Sequence, residues 1–180
     1  MDRPYVVGID IGGQSAKIGI VDTRGTVLSQ TAIKSNDTNS HEEFIENLCS
    51  AVEKLAEKAN IPMSKIRGIG IGAPNANYYT GTIENAVNLT FGGMKVIPFA
   101  DLMSERIGLP VRLTNDANAA AVGEMTYGAA RGMKNFITIT LGTGVGSGIV
   151  VGGYVLYGHD GFAGELGHVT MVRKNGRLCG

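Results

Sequence analysis

The sequence predicts an α/β protein arranged as two lobes. Three observations predict it. Two strand, glycine turn, strand units stand far apart in the chain, at Tyr5–Asp22 and Phe136–Gly158. Between them, apolar stripes at helical spacing alternate with short apolar runs bounded by Gly, Pro and Asn. Glycine is also abundant, at 27 of 180 residues, without low complexity, which points to tight turns and close approach of backbone to a ligand.

Composition sets the outer bounds. A chain of 180 residues can form one large domain or two small ones, and 43% hydrophobic residues suffice for a core. The 16 basic and 16 acidic residues cancel, which argues against direct nucleic-acid binding and against an anionic membrane surface. The first strand begins by Tyr5 with no signal sequence before it, and no apolar run approaches the roughly 18 residues of a membrane span, so a cytoplasmic protein is expected. Cys49 lies in a helical pattern and Cys179 beside the C-terminus, so no disulfide framework is expected.

In the first unit an apolar run ends in Asp10, Gly12 and Gly13 turn the chain, and a second run leaves. This is a phosphate site in outline: bare backbone lets N–H groups approach phosphate oxygens, and a carboxylate can hold Mg²⁺. The same pair can equally make an ordinary hairpin. Arg24 and Gly25 then lead into a third strand, Thr26–Ile33, giving a meander followed by a polar loop, Ser35–Asn39. Ser40 and Glu43 form a capping box before a helix with Phe44, Leu48, Val52, Leu55 and Ala59 on one face and Lys58 in its last turn. Cys49 falls near that face and reads as a buried thiol.

Ile66–Gly72 reads as a strand and Ala73–Asn77 as an amide-rich loop, suited to Asx-turns or to sugar hydroxyls, which want donor and acceptor from one group. Asn88 and Leu89, with Gly92 and Gly93, sit in a second polar loop with the same two readings. Pro98 opens a helix carrying Phe99, Leu102, Met103 and Ile107, which Gly108 ends. A strand at Val111–Leu113 runs through Thr114 into Asn115, Asp116, Ala117 and Asn118 and an Ala-rich helix to about Tyr127. Asn115 or Asp116 can be a helix N-cap; alternatively Asp116, at a strand–helix junction, is a general base for an attacking hydroxyl. The second unit turns at Gly142, Thr143, Gly144 and Gly146, and suggests a second phosphate loop facing a shared cleft. There is no GxxxxGK[ST] run. Glu165 and His168, three residues apart, share one face of a helical turn, where Glu can bind two sugar hydroxyls and His a third or a metal.

Four stretches, GIDIGG at Gly8–Gly13, TNDANAAAVGE at Thr114–Glu124, LGTGVGSGIVVGG at Leu141–Gly153 and GELGH at Gly164–His168, together resemble the ROK group of sugar kinases, repressors and uncharacterised reading frames, and within it the glucokinases. The resemblance covers essentially the whole chain. It implies the actin-like ATPase (ribonuclease H-like) fold, a mixed sheet with flanking helices, with residues 1–116 as the N-terminal lobe and 117–180 as the start of an incomplete second lobe. It implies ATP and Mg²⁺, with glucose as substrate ahead of N-acetylmannosamine or fructose, and a homodimer or larger homo-oligomer. Asp116 is then the catalytic base. Asn75, Asn88, Asn115, Asp116, Glu165 and His168 line the sugar pocket. Asp10, Gly12, Gly13, Gln14, Ser15 and Lys17, with Gly142, Thr143, Gly144 and Gly146, flank the phosphates.

Two departures stand out. Where the family reads DxGGT, this chain has Gln14 followed by Ser15, and Lys17 alternates with buried positions, so it can also be a solvated strand residue. The family's structural Zn²⁺ loop is implied to use His168 and, as its first cysteine, Cys179, after which the chain ends; two ligands do not complete a four-ligand site. The resemblance thus reads the chain as a truncated kinase that is itself inactive. The other reading is a sugar-sensing regulator without turnover, which would need a separate DNA-binding partner.

Overall fold

The computed structural model describes residues 2–38, 40–92, 95–142, 144–172 and 176. The chain divides into two compact units, residues 1–116 and 117–180.

The first unit is built on a five-stranded sheet. Its strands are β1 (Tyr5–Ile11), β2 (Ser15–Val21), β3 (Val27–Lys34), β4 (Ile66–Ala73) and β8 (Val111–Asn115), in the order β3-β2-β1-β4-β8. The meander β1-β2-β3 is antiparallel, whereas β4 and β8 run parallel to β1, so the sheet is mixed. Parallel pairs need long crossovers, and these contain the helices α1 (His41–Lys58) and α2 (Phe99–Ile107). Alternation in the strands puts Val7, Ile9, Ile11, Ala16, Ile18, Ile20, Ile69, Ile71, Val111 and Leu113 into one buried core with α1 and α2.

Local chemistry sets the element ends. Ser40 caps α1 by accepting the Glu43 N–H at 3.4 Å. Its own hydroxyl donates to the neighbouring Glu42 carboxylate. Gly108 closes α2 at φ 71°, a left-handed cap that glycine adopts without a Cβ penalty. In the β2–β3 turn, Asp22 Oδ1 accepts the Arg24 and Thr26 N–H groups at 2.8 and 2.9 Å, and the Thr26 N–H above all holds its carboxyl below the usual range. Arg106 of α2 donates to Glu46 and Glu53 of α1, tying the two helices together across their solvent side.

Cys49 is fully buried on α1, and desolvation pushes its thiol up to about 11. Because the folded-state value lies above the unfolded one, this group's contribution to stability is complete below the ordinary thiol pKa and declines as pH rises toward 11. At pH 8, iodoacetamide is expected to leave Cys49 unmodified in the native protein and to modify it fully in denaturant. Peptide mass spectrometry checks this, and rapid native labelling of Cys49 would show that α1 opens.

One expectation is corrected between β4 and α2. The stretch after β4 is not a plain loop: β5 (Ala76–Asn77), β6 (Thr82–Glu84) and β7 (Val96–Ile97) form a second, three-stranded antiparallel sheet. The segment between β6 and β7 is not uniformly polar either, since Ala86, Leu89 and Phe91 are buried in the core.

The second unit contains α3 (Asp116–Tyr127) from Ala117 onward and an antiparallel sheet of β9 (Phe136–Leu141), β10 (Val145–Val151) and β11 (Tyr154–Val155), in the order β11-β10-β9. Gly146 and Gly148 lie within β10 rather than in the turn before it. A Cβ at Gly148 would stand 2.6 Å from Ala121 Cβ, and one at Gly146 3.1 Å from Ala117 Cβ. These glycines therefore let α3 lie directly on the strand. Among the described residues no helix is long and apolar enough to cross a membrane.

Candidate functional site

The parallel strands of the first unit end together. In register, Asp10 of β1 stands beside Gly72 of β4, which stands beside Thr114 of β8. Gly12 and Gly13, Pro74 and Asn75, and Asn115 and Asp116 thus emerge within three residues of one row, at the carboxyl edge of the sheet. Ligands of open α/β sheets bind at that edge. Asp10 is exposed, and among the described residues its carboxylate enters no ion pair. Lys17 is exposed and directly opposite Asp10 in the β1–β2 register. Asn115 ends β8 and Asp116 begins α3 with no residue between them.

The first glycine turn is held in place from behind. Gly12 N–H donates to Ser15 O at 3.0 Å, and the Ser35 N–H donates to Gln14 O at 3.1 Å. The buried Ser35 hydroxyl donates to Gly12 O at 2.6 Å. Thr90 then donates to Ser35 O and Thr38 O at 3.2 and 2.6 Å, which joins the turn to the segment carrying Asn88. The two also touch directly: a Cβ at Gly13 would lie 2.9 Å from Asn88 O. Gly13 is required here for close approach, and the structure brings Gly12, Gly13, Gln14 and Asn88 together. Ser35 and Thr90 were not legible as site residues. Their hydroxyls act on carbonyls far away in sequence, which no local pattern reveals.

Asn75 adopts φ 52°, a left-handed conformation that Asn tolerates. Its amide nitrogen donates to Glu84 O at 2.9 Å and Asn85 O at 3.2 Å. Both N–H donors are thereby used on the β5–β6 hairpin, and what Asn75 can offer a ligand is its Oδ1 acceptor.

In the second unit, Gly142 N–H donates to Gly144 O at 3.0 Å, closing the turn between β9 and β10. Thr143 and Cys179 lie outside the described residues. Glu165 and His168 flank a short 3₁₀ turn, Leu166–His168, with both side chains exposed. They face each other as expected, His168 Nε2 standing 4.0 Å from Glu165 Oε2. The GELGH segment lies along β10: a Cβ at Gly167 would meet Val145 O at 2.1 Å, and one at Gly164 would meet Ser147 O at 3.2 Å.

Residues 6–180 match the ROK family. The chain belongs to the ROK family. It is 41% identical to a glucokinase of Halalkalibacterium halodurans over 99% of this ROK chain and 53% of that protein. It is 32% identical to a putative xylose repressor of Caldicellulosiruptor sp. over 92% of this chain and 41% of that protein. The crystal structure of a ROK glucokinase from Streptomyces griseus, in complex with glucose and AMPPNP, superposes with a TM-score of 0.80 at 36% identity, over 93% of this chain and 51% of that one. The fold is therefore that of the ROK kinases, the actin-like ATPase fold. This ROK chain spans about half the length of the curated relatives it matches.

Two metals are implied for this ROK chain, and the residues fit them differently. Mg²⁺ binds through one or two carboxylates plus phosphate oxygens, and the exposed Asp10 at the edge of the sheet suits that role. Structural Zn²⁺ wants four ligands. Among the described residues no group of three or more His, Cys, Asp or Glu could hold a metal, and Cys179 lies outside those residues.

Proposed function

We propose that the protein carrying this chain transfers the γ-phosphoryl group of ATP to the 6-hydroxyl of a hexose, glucose above all. The observation that carries this is the convergence of Asp10, the Gly12–Gly13 turn, Asn75 and Asn115–Asp116 at one edge of the sheet. Asp116 takes the proton of the sugar hydroxyl as its oxygen attacks the γ-phosphorus; the new O–P bond forms, the bond to the β-phosphate oxygen breaks, and ADP leaves. Asn75 Oδ1, Asn88, Asn115, Glu165 and His168 orient the hydroxyls. The backbone at Gly12 and Gly13, with Gln14, Ser15 and Lys17, and that at Gly142–Gly146 hold the phosphates. Asp10 would hold Mg²⁺, which when bound would supply charge neutralisation at the phosphates. Likeness to glucokinases of H. halodurans and S. griseus supports this reading.

A second reading has two observations in its favour. Gln14 replaces a hydroxyl at the first turn with a longer amide, and the likeness to a xylose repressor is consistent with sugar sensing without turnover. Both readings are tested on the intact protein with ATP, Mg²⁺ and a panel of glucose, N-acetylmannosamine and fructose, following ADP release by a coupled assay. Turnover is expected with glucose. If glucose binds by calorimetry while no sugar drives ADP release, the kinase reading falls and the sensor reading replaces it.

A further inference from the structure

Glu165 sits at the apex of an inverse γ-turn. Its φ and ψ are −73° and 59°, and Leu166 N–H donates to Gly164 O at 2.7 Å across it. A three-residue turn closed by one such bond is weak in isolation, and here a single side chain from β10 engages both of its ends. The Ser147 hydroxyl donates to Gly164 O and accepts from Leu166 N–H at 3.4 Å. The first of these groups belongs to the peptide plane entering Glu165 and the second to the plane leaving it. Fixing both planes fixes the direction of the Cα–Cβ bond between them. Ser147 is 5% exposed, so water competes poorly for its hydroxyl. It stands in β10, the strand that leaves the Gly142–Gly144 turn.

We propose that Ser147 is a positioning residue that sets the aim of Glu165 and ties it to the strand of the second glycine turn. The inference rests on the kinase reading above, in which Glu165 binds sugar hydroxyls. In that reading Ser147 is assigned no contact of its own with sugar or phosphate and acts through the backbone at residues 164–166. It follows that anything displacing β10, such as phosphate binding at its turn, also moves Glu165. By thermodynamic reciprocity, whatever factor phosphate binding applies to glucose affinity, glucose applies to phosphate affinity.

Two measurements test this. In the intact protein, Ser147→Ala is expected to speed hydrogen exchange of the Leu166 amide by about tenfold, from the loss of one or two hydrogen bonds. In the intact protein, Ser147→Ala is expected to weaken glucose about tenfold by calorimetry, whereas on a Glu165→Ala background it should change glucose affinity less than twofold. An equal loss on both backgrounds would show that Ser147 acts elsewhere and would overturn the proposal, as would unchanged Leu166 exchange. Failure of the wild-type protein to bind glucose would instead remove the sugar-binding reading itself, leaving the exchange result to judge whether the turn is clamped.

Discussion

Asp116→Asn is expected to lower kcat for glucose phosphorylation in the intact protein by about 10²-fold or more, while changing glucose affinity only a few-fold. The asymmetry is the point of the substitution. An amide keeps the shape of the side chain, but it loses the negative charge and the ability to take a proton, and one of its two acceptor atoms becomes a donor. The competing explanation is structural, since Asp116 lies in the first turn of α3, where a negative charge stabilises the helix by about 0.3–1 kcal/mol. Removing that much lowers the melting temperature by a few degrees and cannot account for a hundredfold loss of rate in folded protein. Steady-state kinetics beside a thermal melt separates the two. An Asp116→Asn variant that kept more than a tenth of wild-type kcat would take the role of base away from Asp116.

The sequence made the large elements legible because they repeat a period. The stripe from Phe44 to Leu55 and the alternation from Tyr5 to Val21 are long enough to show 3.6 and 2 residues per turn. Strands β5, β6 and β7 are two or three residues long, too short for any period to emerge, so a sheet there reads as loop. Gly146 shows a different failure. Composition marks it as a turn residue, yet it lies in a strand where α3 needs room, and only tertiary contact distinguishes those uses. Ser35 and Ser147 carry no signal at all in the sequence, because each draws its importance from one hydroxyl placed against a distant backbone. Motif residues such as Asp10 and Asp116 can be singled out from the sequence, whereas the groups that hold their neighbours in place, such as Ser35 and Ser147, cannot.

Phe91 is the largest of these unread parts. Its ring stacks on Phe44 of α1 with centroids 4.5 Å apart and lies 6.4 Å from Phe99 of α2, with all three rings buried. It is three residues from Asn88, in a segment folded tightly on itself: Gly92 N–H donates to Leu89 O at 2.9 Å, and a Cβ at Gly92 would lie 2.4 Å from Ala86 O. Phe91 therefore plugs this segment into the core and holds Asn88 against Gly13. Phe91→Ala leaves an aromatic-sized cavity and is expected to cost about 3–5 kcal/mol, a large part of a typical 5–15 kcal/mol total. The melting temperature should fall by roughly 10 °C. Phe91→Leu keeps most of the volume and should cost no more than about 1.5 kcal/mol. Phe44→Ala opens the same cluster from the helix side, so it should lose similar stability. It leaves the Asn88 segment anchored through Phe91 and Leu89. Glucose affinity, measured well below either melting transition, is thus expected to fall further in Phe91→Ala than in Phe44→Ala. Equal affinities in the two variants would mean that the hydrogen bonds of Thr90, rather than the ring of Phe91, keep Asn88 in place.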